Sequence, residues 1–407
     1  MRWMQGCAVV IVCGFSAAAG LAADDRAVPA AGGVKVIADV QARLLRAFED
    51  HLDNPRRYAK LVAKQCRMFP EGDLFPYVLP AIAYANLALG DPKRKDLALK
   101  RMGQCIDLAI PGVLRRVRPP GGKLEKLRAF NKNATYLGQL NLALGYYRLI
   151  GGDDRYDKMH KRISDVLHTA LVERQGRPLE SYPQYTWPFD TIPCLVSLAL
   201  YDRHTGLARS DEIARKHLKW VQDKATDPVT GLPVSRADGR TGKAWGRPRG
   251  CDLSLRLALL AHIDRPYATK LYRNYVKHFW IDHGAMAGFA EWPGGKGGRQ
   301  DADSGPIIMG IGMSATGLGI GAAIAMDDRG RLRRLCAQIP DLKQLMAVAL
   351  RPAGRGAKAI GGMIPYRKEC VTGFLFGDAC LFYAVTWHPL GASRVPSRTR
   401  HINQGRP

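Results

Sequence analysis

The sequence holds no Cys-x-x-Cys pair and no His and Cys cluster at ligand spacing, which argues against a structural zinc module. It has no zinc-finger, RNP or helix-turn-helix pattern, and its paired glycines lack a preceding strand and a GK[ST] ending, so a nucleotide loop is weakly supported. Strand signals are few and short. Acidic residues are also scarce: 36 Asp and Glu stand against 61 Lys and Arg, a formal net charge of +25 over 407 residues. With 46% hydrophobic and 24% charged residues, the chain has the composition of a folded protein and not of a disordered one. So large a positive excess points to an acidic partner: nucleic acid, an anionic membrane surface, or an anionic small molecule or polymer.

Residues 1–23 (MRWMQGCAVVIVCGFSAAAGLAA) combine Arg2, an apolar stretch from Cys7 to about Ala19 and small residues up to Ala23. This is the pattern of a secretory signal peptide, with cleavage expected near Ala22 or Ala23. Cys13 follows Ile11 and Val12, where a lipidation site wants a small residue, so a lipoprotein is the minor reading. Export to the periplasm or beyond makes nucleic acid an unfavourable partner and turns the basic charge toward envelope material, including peripheral contact with a membrane surface. Seven cysteines remain after cleavage, and an odd number cannot all pair. Most lie in apolar helical stretches where Cys behaves as a small hydrophobe. Cys370 and Cys380 are the pair to test for a disulfide.

An apolar, Ala/Leu-rich helix followed by a short turn and a basic amphipathic helix recurs five times. The junctions fall at 87–102, 149–163, 200–220, 259–280 and 324–339. Gly, Asp and Pro at each junction are stop and start signals, and the following segments carry helical spacing, as with Ile213, His217 and Trp220. An opening segment (34–67) and a last apolar helix (377–387) bring the count to about six pairs. An apolar-all-round helix must be buried and an amphipathic one lies at the surface, so the chain is expected to be all-α. Residues 34–390 form one domain, between a flexible segment at 24–33 and a basic tail at 391–407. The irregular period, roughly 45–60 residues, argues against a solenoid.

This alternation resembles the (α/α)6 toroid of the six-hairpin glycosidase-like superfamily, which contains glycoside hydrolases, polysaccharide lyases and sugar epimerases, and also the linalool dehydratase-isomerase type. The resemblance implies six inner and six outer helices and substrate binding at one mouth of the ring. It carries no catalytic residue over to this chain.

The turns from inner to outer helices are short, whereas the connections back are long and rich in aromatic, acidic and Gly residues. Long loops on a rigid scaffold are where function concentrates. They run over 69–77, 129–136, 181–191, 235–252, 289–306 and 363–378, each before an inner helix, and so are expected to meet at one mouth. In SYPQYTWPFDT, Tyr182, Tyr185 and Trp187 precede Asp190; aromatic faces bind sugar rings and a carboxylate moves protons. Asp190 could equally cap the helix starting near Thr191. In FAEWPGGKGGRQDADSGP, Glu291 stands beside Trp292, with Asp301 and Asp303 after a basic turn holding Lys296 and Arg299. Paired carboxylates suit glycoside hydrolysis or proton abstraction beside a carbonyl; capping by Asp303 or Ser304, with Pro306 in the next helix's first turn, is the plainer role. In SRADGRTGKAWGRPRGCD, Arg236, Arg240, Lys243, Arg247 and Arg249 flank Trp245 ahead of Asp252. Guanidinium groups grip carboxylate or phosphate, and Arg367 and Lys368 add to a cationic mouth; a solvated basic surface is the alternative.

The charge-free segment from Pro306 to Met326 reads as a crowded inner helix more readily than as a membrane span, given its five Gly and its Ser and Thr. His283 reads as structural. Cys194 and Cys251 read as buried thiols, since no partner His is placed by sequence.

The expectation is an exported carbohydrate-active enzyme working on an anionic or envelope-associated glycan. Its acid/base groups would come from Asp190, Asp252, Glu291, Asp301 and Asp303. Tyr182, Tyr185, Trp187, Trp245 and Trp292 would line subsites, and Arg247, Arg249 and Arg299 would bind the anion. No cofactor or metal is called for. A non-catalytic glycan-binding protein and a lyase or isomerase remain open, and no oligomeric state follows.

Overall fold

The computed structural model describes residues 30–65, 71–339 and 371–390. The signal peptide, the 391–407 tail, Cys66, Arg367, Lys368 and Cys370, and with Cys370 the proposed disulfide, lie outside them.

The described chain is predominantly helical, with three two-stranded hairpins as its only sheets. Two kinds of helix alternate. The first kind comprises α3 (Phe75–Gly90), α5 (Ala134–Leu149), α7 (Thr191–Thr205), α9 (Gly250–Leu260), α11 (Met313–Ala325) and α13 (Leu375–Val385). These are buried nearly all round; in α5 every residue from Ala134 to Tyr147 is buried. The second kind comprises α4 (Lys95–Val117), α6 (Asp157–Arg174), α8 (Ser210–Lys224), α10 (Arg265–Phe279) and α12 (Arg329–Cys336), each burying one stripe, as with Ile213, His217 and Val221 in α8. At the start, α1 (Ala30–Asp53) and the short α2 (Pro55–Gln65) supply a further amphipathic layer, with α1 packed on α13, α12 and α4.

The buried helices touch in chain order. α3 packs on α5, α5 on α7, α7 on α9, α9 on α11 and α11 on α13, and α13 returns to α3. Small residues permit the tight contacts: a methyl added at Gly138 of α5 would lie 2.6 Å from Cys194 Sγ of α7, and one at Gly145 would lie 2.8 Å from the Leu200 side chain.

Each of the five junctions read from the sequence is a helix break with an Asp holding backbone N–H groups. Asp91 accepts from Lys93 N at 3.1 Å, Asp153 from Arg155 N at 3.3 Å, Asp264 from Tyr267 N at 2.9 Å and Asp328 from Arg331 N at 3.0 Å. Asp202 accepts from both Arg209 N and Ser210 N at 2.7 Å. These are donors that a helix start leaves without an intrahelical partner, so the carboxylate fixes where the outer helix begins.

One element differs from its expectation. The apolar segment from Pro306 is not helical throughout: β5 (Ile307–Ile308) and β6 (Ile311–Gly312) form a hairpin, and α11 begins only at Met313. Met309 and Gly310 between the strands both have positive φ, 51° and 85°, a turn conformation that no helix contains. Pro306 is therefore outside the first turn of the helix, and neither Asp303 nor Ser304 caps it with its side chain, although the Ser304 carbonyl accepts from Ser314 N at 3.2 Å. Among the described residues no helix is long and apolar enough to cross a membrane.

Candidate functional site

A cavity of about 780 Å³ opens at the end of the helix array where the buried helices begin. All six long connections or the helix starts they feed reach it, through Glu71, Asn133, Tyr182, Arg249, Asp301 and Phe376 among others. Its volume falls in the range that encloses one drug-sized ligand.

One wall is aromatic. Tyr185 stacks on Trp187 with ring centroids 5.7 Å apart and planes 16° apart, and Tyr182 meets the same Trp edge-on at 5.6 Å. Ser181 holds the loop in shape: its hydroxyl accepts from Trp187 N at 2.9 Å. Behind it, Tyr136 of α5 contacts Tyr182 and donates to Asp73 at 2.8 Å.

The floor is acidic. Asp190 lies buried at the start of α7 and makes no capping bond there. Burial drives its pKa to about 7, with the charges of Asp252 and Asp303 adding to the rise and hydrogen bonds from Ser181 and Thr135 opposing it. Glu71 is pushed further, to about 8, by burial first and then by the charges of Asp303 and Asp190, with Arg116 pulling the other way. Asp303 lines the cavity and is exposed at its surface; the protein packed around it, followed by the Asp301 charge, raises its pKa as well. No hydrogen bond or ion pair holds the side-chain carboxyl of Glu71 or of Asp303 to another side chain among the described residues.

The remaining acids are tied. Asp252 is bound by Arg256 of its own helix through two hydrogen bonds, at 2.7 and 3.0 Å, and Arg256 is fully buried. Asp301 accepts from Arg249 Nη2 at 2.8 Å and from the backbone of Asp303 and Ser304. Burial works to raise its pKa, but the hydrogen bond and charge of Arg249 outweigh this and hold it below the usual carboxylate range. Glu291 is 0% exposed and does not line the cavity. It accepts from Arg249 Nε at 2.6 Å, from Cys251 N at 3.0 Å and from Cys251 Sγ at 3.2 Å, so it anchors the start of α9 from behind. Beside it the Cys251 thiol is pushed well above its ordinary pKa by burial and by the Glu291 charge. Cys194 is buried, donating to Asp190 O at 3.3 Å.

The sequence-derived candidates therefore separate. Asp190, Asp252, Asp301, Asp303, Tyr182, Tyr185, Trp187 and Arg249 come together around the cavity. Glu291, Trp245, Arg247, Trp292 and Arg299 do not line it. Arg247 turns its guanidinium to the carbonyls of Gly297 and Lys296 and, with Arg249, flanks the Trp292 ring, whose Nε1 donates to Arg299 O. His283 sits in the β3–β4 turn between Trp280–Asp282 and Ala287–Phe289, with Nε2 3.1 Å from Met309 O.

Two contributions escaped the sequence reading. Glu71 belongs to the 69–77 loop, and its signal in sequence is a carboxylate between Pro70 and Gly72, just ahead of an apolar helix. Arg115, Arg116 and Arg118 at the end of α4 also line the cavity. Basic residues in a last helical turn are ordinary partners of the helix dipole, and nothing in their spacing marks them out. Arg115 pairs with Asp73 at 2.8 Å, and Arg116 lies 5.6 Å over the Tyr136 ring.

Among the described residues no group of three or more His, Cys, Asp or Glu is placed to hold a metal ion. The chemistry within reach is proton transfer by carboxyl groups of unequal acidity, beside an aromatic wall and a cationic edge. Compared with known protein families, the chain matches no family model.

Proposed function

We propose that the chain is an exported carbohydrate-active enzyme, folded as an (α/α)6 toroid of the six-hairpin type, that cleaves glycosidic bonds of an anionic saccharide at this mouth. The cyclic order of helix contacts supports the toroid, since α13 returns to α3. The observation that carries the function is the placing of Glu71, Asp190 and Asp303 in one cavity, with Glu71 feeling the charges of both others and Asp190 that of Asp303, against stacked Tyr185 and Trp187. Carboxyls that cannot all ionise together divide into acid and base.

In this reading Glu71 keeps its proton at neutral pH and delivers it to the glycosidic oxygen as the bond to the anomeric carbon breaks. Asp303, whose charge is the strongest electrostatic influence on Glu71, is the ionised partner. It either attacks the anomeric carbon or takes a proton from the attacking water. Asp190 backs the pair as a reservoir of protons, whereas Asp252, neutralised by Arg256, takes no part in the proton transfer. Arg116 and Arg118 on the opposing edge meet the substrate's anionic group.

The test is release of reducing ends from a panel of anionic and neutral glycans. Glu71→Gln and Asp303→Asn are each expected to lower kcat by at least about a hundredfold while leaving binding in place. Wild-type turnover retained in both variants would remove the pair from the mechanism. A glycan that is bound but never cleaved would favour a non-catalytic envelope glycan-binding protein.

One observation favours a second reading. The Tyr182 hydroxyl is buried at the cavity without a hydrogen-bond partner among the described residues, and a Tyr so placed, with Arg lining the same cavity, suits proton abstraction in a lyase. Elimination leaves an unsaturated, ultraviolet-absorbing sugar end and hydrolysis does not, so product analysis separates the two.

A further inference from the structure

Trp245, outside the cavity, is 51% exposed, and Tyr185, which lines it, is 50% exposed. Among the described residues these are the two large aromatic side chains left this open, and the backbone joins them. β1 (Arg236–Ala237) pairs antiparallel with β2 (Ala244–Trp245), with Arg236 opposite Trp245 and Ala237 opposite Ala244. On its other side β1 is bridged to the aromatic loop, Thr186 opposite Ala237, with Ala237 N donating to Thr186 O at 3.0 Å.

Side chains alternate between the two faces of extended backbone, and residues directly opposite share a face. The row Thr186, Ala237, Ala244 therefore points to one side; Thr186 and Ala237 are buried. The next row, Trp187, Arg236, Trp245, points to the other, and Tyr185 stands on that same side, two residues from Trp187. The open face of this small sheet carries Tyr185, Trp187, Arg236 and Trp245 in succession. Tyr185 and Trp187 line the cavity, so the row leads outward from it. The Arg236 guanidinium lies 5.0 Å from the Trp245 ring centroid, and no carboxylate pairs with it among the described residues.

We propose that this row is an outer subsite, and that the ligand is an anionic oligosaccharide or polysaccharide chain that continues from the cavity across Trp187 and Arg236 to Trp245. The inference rests on the reading of the cavity as a saccharide site. A sugar ring stacks its apolar face on Trp245, and its carboxylate or sulfate bonds Arg236, which the Trp ring holds in place. The cavity encloses a short saccharide; the outer row recognises what extends beyond it.

Calorimetric titration of the full chain with oligogalacturonates of di-, tetra- and octasaccharide length, their carboxyl-reduced forms and heparin-derived sulfated equivalents tests this. The octasaccharide is expected to bind more tightly than the disaccharide. Trp245→Ala is expected to weaken octasaccharide binding roughly tenfold with disaccharide binding and melting temperature unchanged. Arg236→Gln is expected to reduce the gain for the charged octasaccharide and not for its carboxyl-reduced form. The ladder that shows the gain identifies the anion as carboxylate or sulfate. Equal affinity at all lengths, or an equal loss at all lengths in Trp245→Ala, overturns the outer subsite while leaving the cavity reading intact. Absence of binding at every length, charged or neutral, removes the cavity reading and this one with it.

Discussion

Arg249 donates to Glu291 through Nε at 2.6 Å, joining two residues 42 positions apart where neither side chain is open to water. Glu291 in turn accepts from the first backbone N–H groups of α9, and Arg249 reaches on to Asp301. One ion pair thus ties the start of a buried helix to the acidic loop at the cavity.

Removing one partner of a buried pair strands the other charge. Arg249→Met is expected to destabilise the protein by about 3–5 kcal/mol, measured by urea denaturation. Glu291→Gln retains the shape and an acceptor, and its loss is expected to be smaller. Equal, small effects of both would place the pair in water, contrary to its burial.

The same junction is sterically closed at Gly250. A methyl there would lie 1.9 Å from the Ala290 carbonyl oxygen, a backbone atom that cannot swing aside. Gly250→Ala is expected to cost at least about 1–3 kcal/mol and to disturb the Glu291 cap, seen as a lower melting temperature. Gly206→Ala makes a useful contrast, because nothing lies within 4 Å of its added methyl and only its φ of +75° opposes the change.

The proposed proton donor sets an alkaline limit on activity. Glu71 holds its proton up to about pH 8, because burial and the neighbouring Asp303 and Asp190 charges disfavour ionisation. Turnover is expected to fall as pH rises through that value, and the limb should vanish from the residual activity of Glu71→Gln. An unchanged alkaline limb in that variant would assign it to another group.

Stability responds to the same groups. In the unfolded chain Glu71 titrates near 4.5, and in the folded protein near 8. Between those values the native state keeps a proton that the unfolded state has lost, so its stabilising contribution is full below pH 4.5 and is lost as pH rises to 8. Asp190, moved from 3.8 to about 7, acts in the same direction. Glu71→Gln is expected to gain in melting temperature relative to wild type as pH increases across this window. A constant difference would mean that the carboxyl is not perturbed.

Legibility from the sequence followed the range of the forces involved. Helix breaks are local: Asp91, Asp153, Asp202, Asp264 and Asp328 each satisfy backbone donors at most eight residues away, so all five junctions could be read along the chain. The hairpin at Ile307–Gly312 was missed because apolar content suits a buried strand as well as a buried helix. Asp303 and Asp190 stand in aromatic and Gly-rich loops, and Glu71 has such neighbours too, Phe69, Gly72, Phe75 and Tyr77, but it acquires its character only from burial and from charges brought in by other loops.

The sequence by itself determined the alternation of all-apolar and amphipathic helices and the placing of the long loops before the apolar ones, because periodicity and capping are properties of neighbouring residues. Only the tertiary structure decided which charged groups remain available. It consumed Glu291 and Asp301 on Arg249, consumed Asp252 on Arg256 and turned Arg247 toward backbone carbonyls. It left Glu71, Asp190 and Asp303 lining one cavity, where desolvation and the charges of neighbouring carboxylates, which depend on distance through space, set their acidity.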